Sequence, residues 1–154
     1  MNPTSSLVIR LAKPEDVASV YQLIVELAAY ERAPQEVINT PERMLADGFG
    51  RDRNWFGCAV AEVHGQITGM AIWYFRYSTW KGRCLYLEDF YVSPEYRRSG
   101  IGASLFEYVL NYGIAQQCQK LVWQVLEWNE PAIQFYKKYD SHLDPEWLNG
   151  SITL

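Results

Sequence analysis

Hydrophobic positions along the chain follow two different spacings, one typical of strands and the other typical of helices. Apolar runs rich in β-branched and aromatic residues predict six strands, at residues 7–11, 56–63, 67–75, 84–92, 120–126 and 147–154. Helical spacing and capping residues predict four helices, at residues 14–30, from 41 to Gly48 or Gly50, at 100–116 and at 131–139. The order β-α-α-β-β-β-α-β-α-β predicts an α/β fold of the mixed α+β kind, in which helices cover the faces of a mixed sheet.

Local signals support the ends of several of these elements. Thr40 and Pro41 are residue types preferred at the cap and at the first position of a helix. His64-Gly65-Gln66 separates two strand-like runs and therefore predicts a hairpin. The run KLVWQVL is almost continuously apolar, which is expected of a strand whose two faces are both covered.

The composition fits one domain and argues against several functional classes. With 154 residues, 49% of them hydrophobic, the chain can form a single core, and we expect one domain over residues 1–154. A formal net charge of −4 without a basic stripe argues against a nucleic-acid partner. The sequence shows neither a signal-peptide pattern nor an apolar run of about 20 residues, so we expect a cytosolic protein without a membrane partner. Cys58, Cys84 and Cys118 lack the spacing of a zinc site, so we expect reduced thiols and no metal.

The segment FYVSPEYRRSGIGASLFEYVL, residues 90–110, places two arginines and two glycines where a predicted strand passes into a helix. The first N–H groups of a helix lack partners within it and carry the positive end of its dipole. Gly100 and Gly102 expose these groups, and Arg97 and Arg98 add positive charge, so a diphosphate ligand is one interpretation. A tight turn that needs glycine for a positive φ is the other, and the segment alone leaves both open.

Two common nucleotide-binding motifs are excluded at this loop. Leu105 occupies the third glycine position of the dinucleotide fingerprint G-x-G-x-x-G, and the chain has no Gly-Lys-Ser/Thr of a Walker motif. The remaining pattern, Arg97-x-x-Gly100-x-Gly102, resembles the acetyl-CoA pyrophosphate loop of the GNAT N-acetyltransferase superfamily. The order of elements is similar to that fold over nearly the whole chain, which implies a central, twisted, mostly antiparallel sheet flanked by helices.

The resemblance narrows to the spermidine/spermine (diamine) acetyltransferases, a branch that includes thialysine acetyltransferases. Four separated segments carry it in the right order: ELAAYE (26–31), DGFG (47–50), LYLEDFYV (85–92) and EWNEPAIQFYKK (127–138). It implies acetyl-CoA as cosubstrate, a small cationic amine as substrate and a homodimer as the assembly.

The same resemblance assigns residues to the sites. For acetyl-CoA it implies pantetheine contacts with the backbone of β-strand residues Phe90, Tyr91 and Val92, a pyrophosphate loop, and a segment along the CoA arm. The loop comprises Arg97, Arg98, Ser99, Gly100, Ile101, Gly102 and Ala103, and the arm segment comprises Asn129, Glu130, Pro131, Ala132 and Tyr136. The implied amine-binding residues are Tyr30, Glu31, Glu88 and, reaching the amine from the partner subunit, Glu146. Glu88 is implied as the base, and Tyr136 as the acid that protonates the CoA thiolate.

The chemistry of an amine substrate points independently to carboxylates. An alkylamine has a pKa of about 10.4, so it arrives as an ammonium and must lose a proton before it attacks a thioester. Glu88 and Asp89 interrupt the apolar run at 84–92, and adjacent strand residues point to opposite faces, so only one of them is expected in a cleft. The other interpretation is that both carboxylates are merely solvated near an open strand end.

Two departures from the family pattern affect these expectations. Asp140 follows the last predicted helix where the family has a glycine, and Asp adopts the left-handed conformation at some cost. The chain stops at Leu154, where members of the branch run further, which leaves open both the exchange of C-terminal strands and the role of Glu146.

The leading hypothesis is a cytosolic, acetyl-CoA-dependent N-acetyltransferase that acts on a primary amine of a small diamine or polyamine by direct attack. Lysine-like amino acids such as thialysine are an alternative substrate class, and Arg76 or Arg83 could then bind the substrate carboxylate. A non-catalytic CoA-binding regulatory domain is a further hypothesis, although the presence of Glu31, Glu88 and Tyr136 together argues against it.

Overall fold

The computed structural model describes residues 6–154, which divide into two compact units, one ending at Gln124 and the other beginning at Val125. Besides short 3₁₀ turns, the described part of the first unit contains three helices, α1 Val17–Tyr30, α2 Pro41–Phe49 and α3 Ile101–Ala115. It also contains five strands, β1 Leu7–Leu11, β2 Gly57–Val63, β3 Gln66–Ser78, β4 Gly82–Val92 and β5 Lys120–Trp123. The second unit contains one helix, α4 Glu130–Lys137. None of the helices described is long and apolar enough to cross a membrane.

The described strands form one sheet in sequential order, β1-β2-β3-β4-β5. The first four strands are antiparallel to their neighbours, whereas β5 is parallel to β4. A parallel pair needs a crossover connection, and α3 supplies it between β4 and β5. The predicted mixed, mostly antiparallel sheet with helices on its faces is therefore confirmed.

The hairpin predicted between β2 and β3 is confirmed, and its loop is one residue shorter than predicted. Its loop has two residues, His64 and Gly65, with φ angles of 51° and 78°. Positive φ at both positions is typical of the type I′ turn, whose twist matches that of the flanking strands.

Hydrophobic packing covers the sheet on both faces. On one face, residues of α1 pack with alternate residues of the central strands, including Val20, Leu27, Val60, Met70, Ile72 and Tyr91. On the other face, Ile101 at the start of α3 packs with Ala61, Val63 and Val92. Burial of these side chains fixes α1 and α3 on opposite faces of the sheet, close to the end of β4.

The second helix begins where its capping residues predict. Thr40 lies in extended conformation before α2, and its hydroxyl accepts a hydrogen bond from the backbone N–H of Arg43 at 3.2 Å. Pro41 occupies the first turn, and Gly50 follows the last helical residue, Phe49. Of the two predicted ends, Gly50 is therefore correct, and Gly48 lies inside the helix.

A cluster of charged side chains joins β1 to the start of α1. The guanidinium of Arg10 pairs with Asp16 at 2.6 Å and with Glu62 of β2 at 2.7 Å. The backbone N–H of Lys13 also donates to the Asp16 carboxylate at 2.7 Å. Hydrogen bonding from Arg10 is the main reason that the pKa of Asp16 lies below its ordinary value.

Two of the predicted strands need correction. The fifth strand ends at Trp123, so the prediction of a strand to residue 126 is too long. The predicted final strand at 147–154 is wrong, because these residues are irregular and exposed, with Leu148 96% and Ile152 87% accessible. A strand requires a hydrogen-bonded partner, and the turn-forming pair Asn149-Gly150 interrupts the apolar pattern of this segment.

Candidate active site

A β-bulge interrupts β4 at the two acidic residues. Trp73 of β3 pairs with Leu87, whereas the preceding residue Ile72 pairs with Asp89, so Glu88 is the extra residue in β4. Leu87 and Asp89 consequently lie on opposite faces of the sheet although they are two residues apart. The simple alternation expected for this strand therefore fails at Glu88, and the expectation that Glu88 and Asp89 point to opposite faces does not apply.

Three carboxylates approach one another beyond the end of α1. Glu31 caps α1 at its C-terminus, Asp89 is partly buried on the face that α1 covers, and Glu88 is exposed beside it. Burial, then Glu88, then Glu31, raises the pKa of the Asp89 carboxyl to about 7. Partial burial also raises the pKa of the Glu31 carboxyl above its ordinary value. The cluster is therefore a site of strong negative potential with one group that exchanges a proton near neutral pH.

Arg97 connects the end of β4 to the end of α1. Its Nε donates to the carbonyl oxygen of Val92 at 2.8 Å. Its guanidinium lies 5.1 Å from the ring centroid of Tyr91 and 5.5 Å from that of Tyr30, which are cation–π distances. These contacts hold Tyr30, next to Glu31, against the strand that carries Asp89.

The loop before α3 leaves the helix N-terminus without a side-chain cap. Gly100 is left-handed, with φ 83°, and no side chain caps the helix at this end. A Cβ atom at Gly100 would meet no other atom within 4 Å, so the space in front of the loop is open. A left-handed residue followed by helical ones turns successive N–H groups toward a common point, which is an anion-binding arrangement. Ile101, 1% exposed, anchors the first turn of α3 in the core.

The edge of β4 that faces β5 has no strand partner over the last residues of β4, among the strands described. β5 accompanies β4 only as far as the pair Leu87 and Trp123, while β4 continues to Val92. Over residues 88–92, β4 is paired with β3 alone among the strands described. Phe90 packs edge-on against Phe106 of α3, with ring centroids 5.7 Å apart, which fixes this part of β4 on the helix. Such an edge accepts an extended ligand as an added strand.

Residues 18–140 match the model of the acetyltransferase (GNAT) family. The chain belongs to this family. It is 40% identical to the thialysine N-epsilon-acetyltransferase of Bos taurus over 139 residues, which are 85% of this chain and 81% of that protein. It is also 39% identical to the spermidine/spermine N(1)-acetyltransferase-like protein 1 of Homo sapiens over 135 residues, 83% of this chain but 19% of that longer protein. The protein is an N-acetyltransferase, as its sequence pattern predicts.

Solved structures agree with the fold of this GNAT acetyltransferase. An aminoglycoside acetyltransferase from an uncultured soil metagenomic sample superposes with a TM-score of 0.79 over 98% of both chains at 20% identity. The ribosomal-protein-alanine N-acetyltransferase of Brucella melitensis superposes with a TM-score of 0.73 over 97% of this chain at 22% identity. At such identities the likeness establishes the fold alone.

The end of β4 and the start of α3 fit the acetyl donor used by GNAT acetyltransferases, acetyl-CoA. Diphosphate oxygens suit the uncapped N–H groups and the open space in front of Gly100. Arg98, left-handed with φ 61°, is exposed in the same loop. The amide groups of a pantetheine arm suit the edge of β4 over residues 88–92. Two independent features of this acetyltransferase thus match two parts of one ligand.

The second unit confirms the predicted start of its helix. The side chain of Asn129 caps α4 by accepting from the N–H of Ala132 at 3.4 Å, and Pro131 lies in the first turn. Tyr136 is on the last turn, where its ring meets Phe135 at a centroid distance of 5.5 Å. Asp140 is left-handed with φ 52°, as expected for the residue that replaces the usual glycine. The hydroxyl of Ser141 donates to the backbone carbonyl of Tyr136 at 2.8 Å and so provides a hydrogen-bond partner for a carbonyl in the last turn of α4.

The remaining predicted residue of the second unit, Glu146, lies in the irregular segment after α4. Its backbone N–H donates to the Asp144 carboxylate at 2.9 Å, and its side chain is exposed. Its assignment to the amine stays a prediction.

The sequence did not predict that Asp89 belongs to the acidic cluster. It also did not predict that two tyrosines and an arginine lie beside this cluster on the same face of the sheet. Tyr74 and Tyr86 stack with ring centroids 5.0 Å apart, and the guanidinium of Arg76 lies 5.8 Å from the Tyr86 ring centroid. Burial and then Glu88 raise the pKa of both phenols above the ordinary value, while Arg76 lowers it. Only strand pairing reveals this arrangement, because Tyr74 and Tyr86 are paired residues of different strands.

Proposed function

We propose that this acetyltransferase transfers the acetyl group of acetyl-CoA to a primary amine of a small, cationic diamine or polyamine. The single observation that carries the substrate class is the cluster of Glu31, Glu88 and Asp89. Three carboxylates within one another's field attract an ammonium group, and a bound cation relieves their mutual repulsion. The names of two relatives, a thialysine N-epsilon-acetyltransferase and a spermidine/spermine N(1)-acetyltransferase-like protein, support a small amine as the acetyl acceptor.

Asp89 is the best candidate for the group that deprotonates the substrate. A base must be ionised to accept a proton, and it works best when its pKa lies near the operating pH. The pKa of Asp89, about 7, meets this requirement, while burial keeps the carboxylate from full solvation. Glu88, which the family resemblance assigns as the base, is exposed beside Asp89 and raises the pKa of Asp89. We therefore assign proton transfer to the pair, with Asp89 accepting the proton and Glu88 binding the ammonium.

We assign acetyl-CoA to the loop before α3 and to the edge of β4 over residues 88–92. Arg98, Ser99, Gly100, Ile101, Gly102 and Ala103 would hold the pyrophosphate, and backbone groups of Phe90, Tyr91 and Val92 would hold the pantetheine arm. Bound acetyl-CoA supplies an acetyl group activated as a thioester. Arg97 is assigned a positioning role for Tyr30 and Tyr91, because its side chain already contacts both rings and the Val92 carbonyl.

The residues of the second unit keep the roles that their motif implies. Asn129, Glu130, Pro131 and Ala132 would lie along the CoA arm, and Tyr136 would donate the proton that the CoA thiolate sulfur takes as the carbon–sulfur bond breaks. A phenol with a pKa of about 10 is neutral and able to donate at physiological pH. Glu146, a homodimeric assembly and a cytosolic location also stay predictions.

Lysine-like amino acids are a second candidate class, favoured by a specific observation. Arg76 lies on the same face of the sheet as the carboxylate cluster, with Tyr86 between them. A diamine has no group that needs this cation, whereas an amino acid has a carboxylate.

The experiment that tests the proposal is CoA release from acetyl-CoA in the presence of spermidine, putrescine, thialysine or lysine. Turnover that depends on one of these amines, with an equal amount of N-acetylated product, is the expected result. Acetyl-CoA binding without turnover on any amine would instead support a regulatory CoA-binding domain. When the assay is repeated with Glu31→Gln or Glu88→Gln, Glu107→Gln is the control. It removes the charge of an exposed carboxylate on α3, which is outside the cluster, and so accounts for the change of overall charge.

A further inference from the structure

Arg76 is an exposed cation near the turn of the β3–β4 hairpin, two pairs before the last pair, Ser78 and Gly82. Its guanidinium lies over the Tyr86 ring, 5.8 Å from the centroid. Within residues 6–154, no carboxylate lies within salt-bridge distance of its side chain. The Tyr86 ring positions the Arg76 guanidinium, and no carboxylate of the described residues pairs with it. Arg76 is therefore available to an anionic group of a ligand.

The face that carries Arg76 also carries the carboxylate cluster. Ile72, Tyr74 and Arg76 are alternate residues of β3, so their side chains share one face. Ile72 pairs with Asp89 and Tyr74 pairs with Tyr86. Along this face, negative charge at Asp89 is followed by two stacked tyrosines and then by the positive charge of Arg76.

The spacing between the two charges suits a short, flexible molecule. Four residues of β3 separate Ile72, opposite Asp89, from Arg76, which is a span of about 13 Å between Cα atoms. The long side chains of Arg76 and Glu88 shorten the gap that a ligand must bridge. The stacked rings of Tyr74 and Tyr86 lie between, and the ring of Tyr74, which is the exposed one of the two, suits either an alkyl chain or a second ammonium group.

The other candidate arginine is engaged elsewhere. Arg83 donates to the carbonyl of Gln116, which caps the C-terminus of α3, at 2.9 Å. Its partner in β3 is Tyr77, which alternates with Arg76 and therefore belongs to the opposite face. This contact stabilises the end of the helix, where backbone carbonyls lack partners.

We propose that Arg76 binds a carboxylate at the end of the substrate opposite to the reacting amine, so that the enzyme prefers lysine-like amino acids to diamines of the same length. This inference rests on the proposed acetyl transfer to a small amine, and it favours the second of the two candidate substrate classes, the lysine-like amino acids, over the diamines. The planar guanidinium binds a carboxylate through two parallel hydrogen bonds. Arg76 is thus a specificity-determining residue and takes no part in the proton transfer.

L-lysine and cadaverine form the matched pair of probes, because they differ only in the carboxylate. The wild-type enzyme is expected to show a higher kcat/KM for lysine than for cadaverine. In Arg76→Met, which keeps the length and removes the charge, the ratio of the two kcat/KM values is expected to fall by about 10- to 100-fold. The loss should appear mainly in the KM for lysine, and Arg76→Lys should restore part of the ratio.

Arg83→Met is the matched control, and its lysine-to-cadaverine ratio should equal that of the wild type. Thermal melts show whether each variant is folded, and the ratio within one variant is insensitive to partial loss of active protein. The inference is overturned if the wild type shows no preference for lysine, or if Arg76→Met and Arg83→Met change the ratio equally. Absence of turnover on every amine would refute the proposed function itself, whereas turnover with a ratio independent of Arg76 would refute this inference alone.

Discussion

Glu88 and Asp89 are neighbours in a strand, yet the charge of one raises the pKa of the other, because the bulge in β4 places them outside the usual alternation. In a regular strand these two carboxylates would project to opposite faces of the sheet. The bulge makes Glu88 the extra residue and leaves Asp89 on the face that α1 covers. The proposed amine site therefore contains several carboxylates, and burial together with the neighbouring charges raises the pKa of Asp89 to about 7.

Replacing Asp89 by Asn should stabilise the fold at neutral and basic pH while impairing the enzyme. The folded-state pKa of Asp89, about 7, lies above the unfolded value, so its contribution to stability is full below about pH 4 and is lost as the pH rises through 7. Asn carries no charge to desolvate, so the variant should gain about 1–2 kcal/mol at pH 8. Urea unfolding at pH 4 and pH 8 measures this. An equal difference at both pH values would contradict the cause assigned to the shift.

Gly100→Ala should weaken binding of acetyl-CoA by about 10-fold, since the new Cβ projects into the space assigned to the pyrophosphate. Gly65→Ala is a closely matched control. Gly65 has φ 78° and Gly100 has φ 83°, and a Cβ at either position would meet no atom within 4 Å. Both variants should therefore lose about 1 kcal/mol of stability from backbone strain. Isothermal titration with acetyl-CoA distinguishes them, and similar affinities for the two variants would remove the loop from the binding site.

Tyr136→Phe should lower kcat by about 100-fold with little change in acetyl-CoA affinity, because only the proton donor is removed. Tyr139→Phe is the control, since Tyr139 also contacts Phe135 and lies one turn beyond. Steady-state kinetics at saturating acetyl-CoA provide the measurement. Equal turnover in wild type and Tyr136→Phe would refute the general-acid assignment.

Asp16→Asn should destabilise the protein above pH 4 by about 1–3 kcal/mol, because Arg10 and the Lys13 N–H would lose a charged acceptor. The pKa of Asp16 is depressed in the folded state, so its contribution is present above the unfolded value of about 3.9 and is lost as the pH falls through the folded value. Thermal melts between pH 3 and pH 7 should therefore converge for variant and wild type at the acid end. A gap of constant size across this range would contradict the assignment.

Local patterns were sufficient for most of the fold and for the turn before α3, to which the acetyl donor is assigned. Periodicity located α1 and α3, and the glycine and arginine spacing at 97–102 is confirmed as a left-handed turn into a helix. The side chains of Thr40 and Asn129 accept hydrogen bonds from backbone N–H groups three residues further along the chain. Because this interaction is local, the sequence predicts these helix caps without knowledge of the fold.

Features that depend on pairing could not be predicted. The bulge at Glu88 is a matter of register between β3 and β4, and no local signal distinguishes it from a continuous strand. The same is true of the choice between Arg76 and Arg83, which lie on different faces only because of their positions in the ladder. The segment 147–154 has strand-like composition but no strand in the described chain pairs with it, so its pattern alone misled the prediction.

The central claim is that the carboxylate cluster around Asp89 takes the proton from the substrate amine, and the pH dependence of kcat/KM for the amine tests it most directly. The wild-type profile should rise through an apparent pKa of about 7. Glu88→Gln and Glu31→Gln each remove a negative charge that raises the pKa of Asp89, so both should move this limb to lower pH. Asp89→Asn should abolish the limb and lower kcat/KM by about 100-fold or more. A limb that keeps its position in Glu88→Gln and survives in Asp89→Asn would contradict the account.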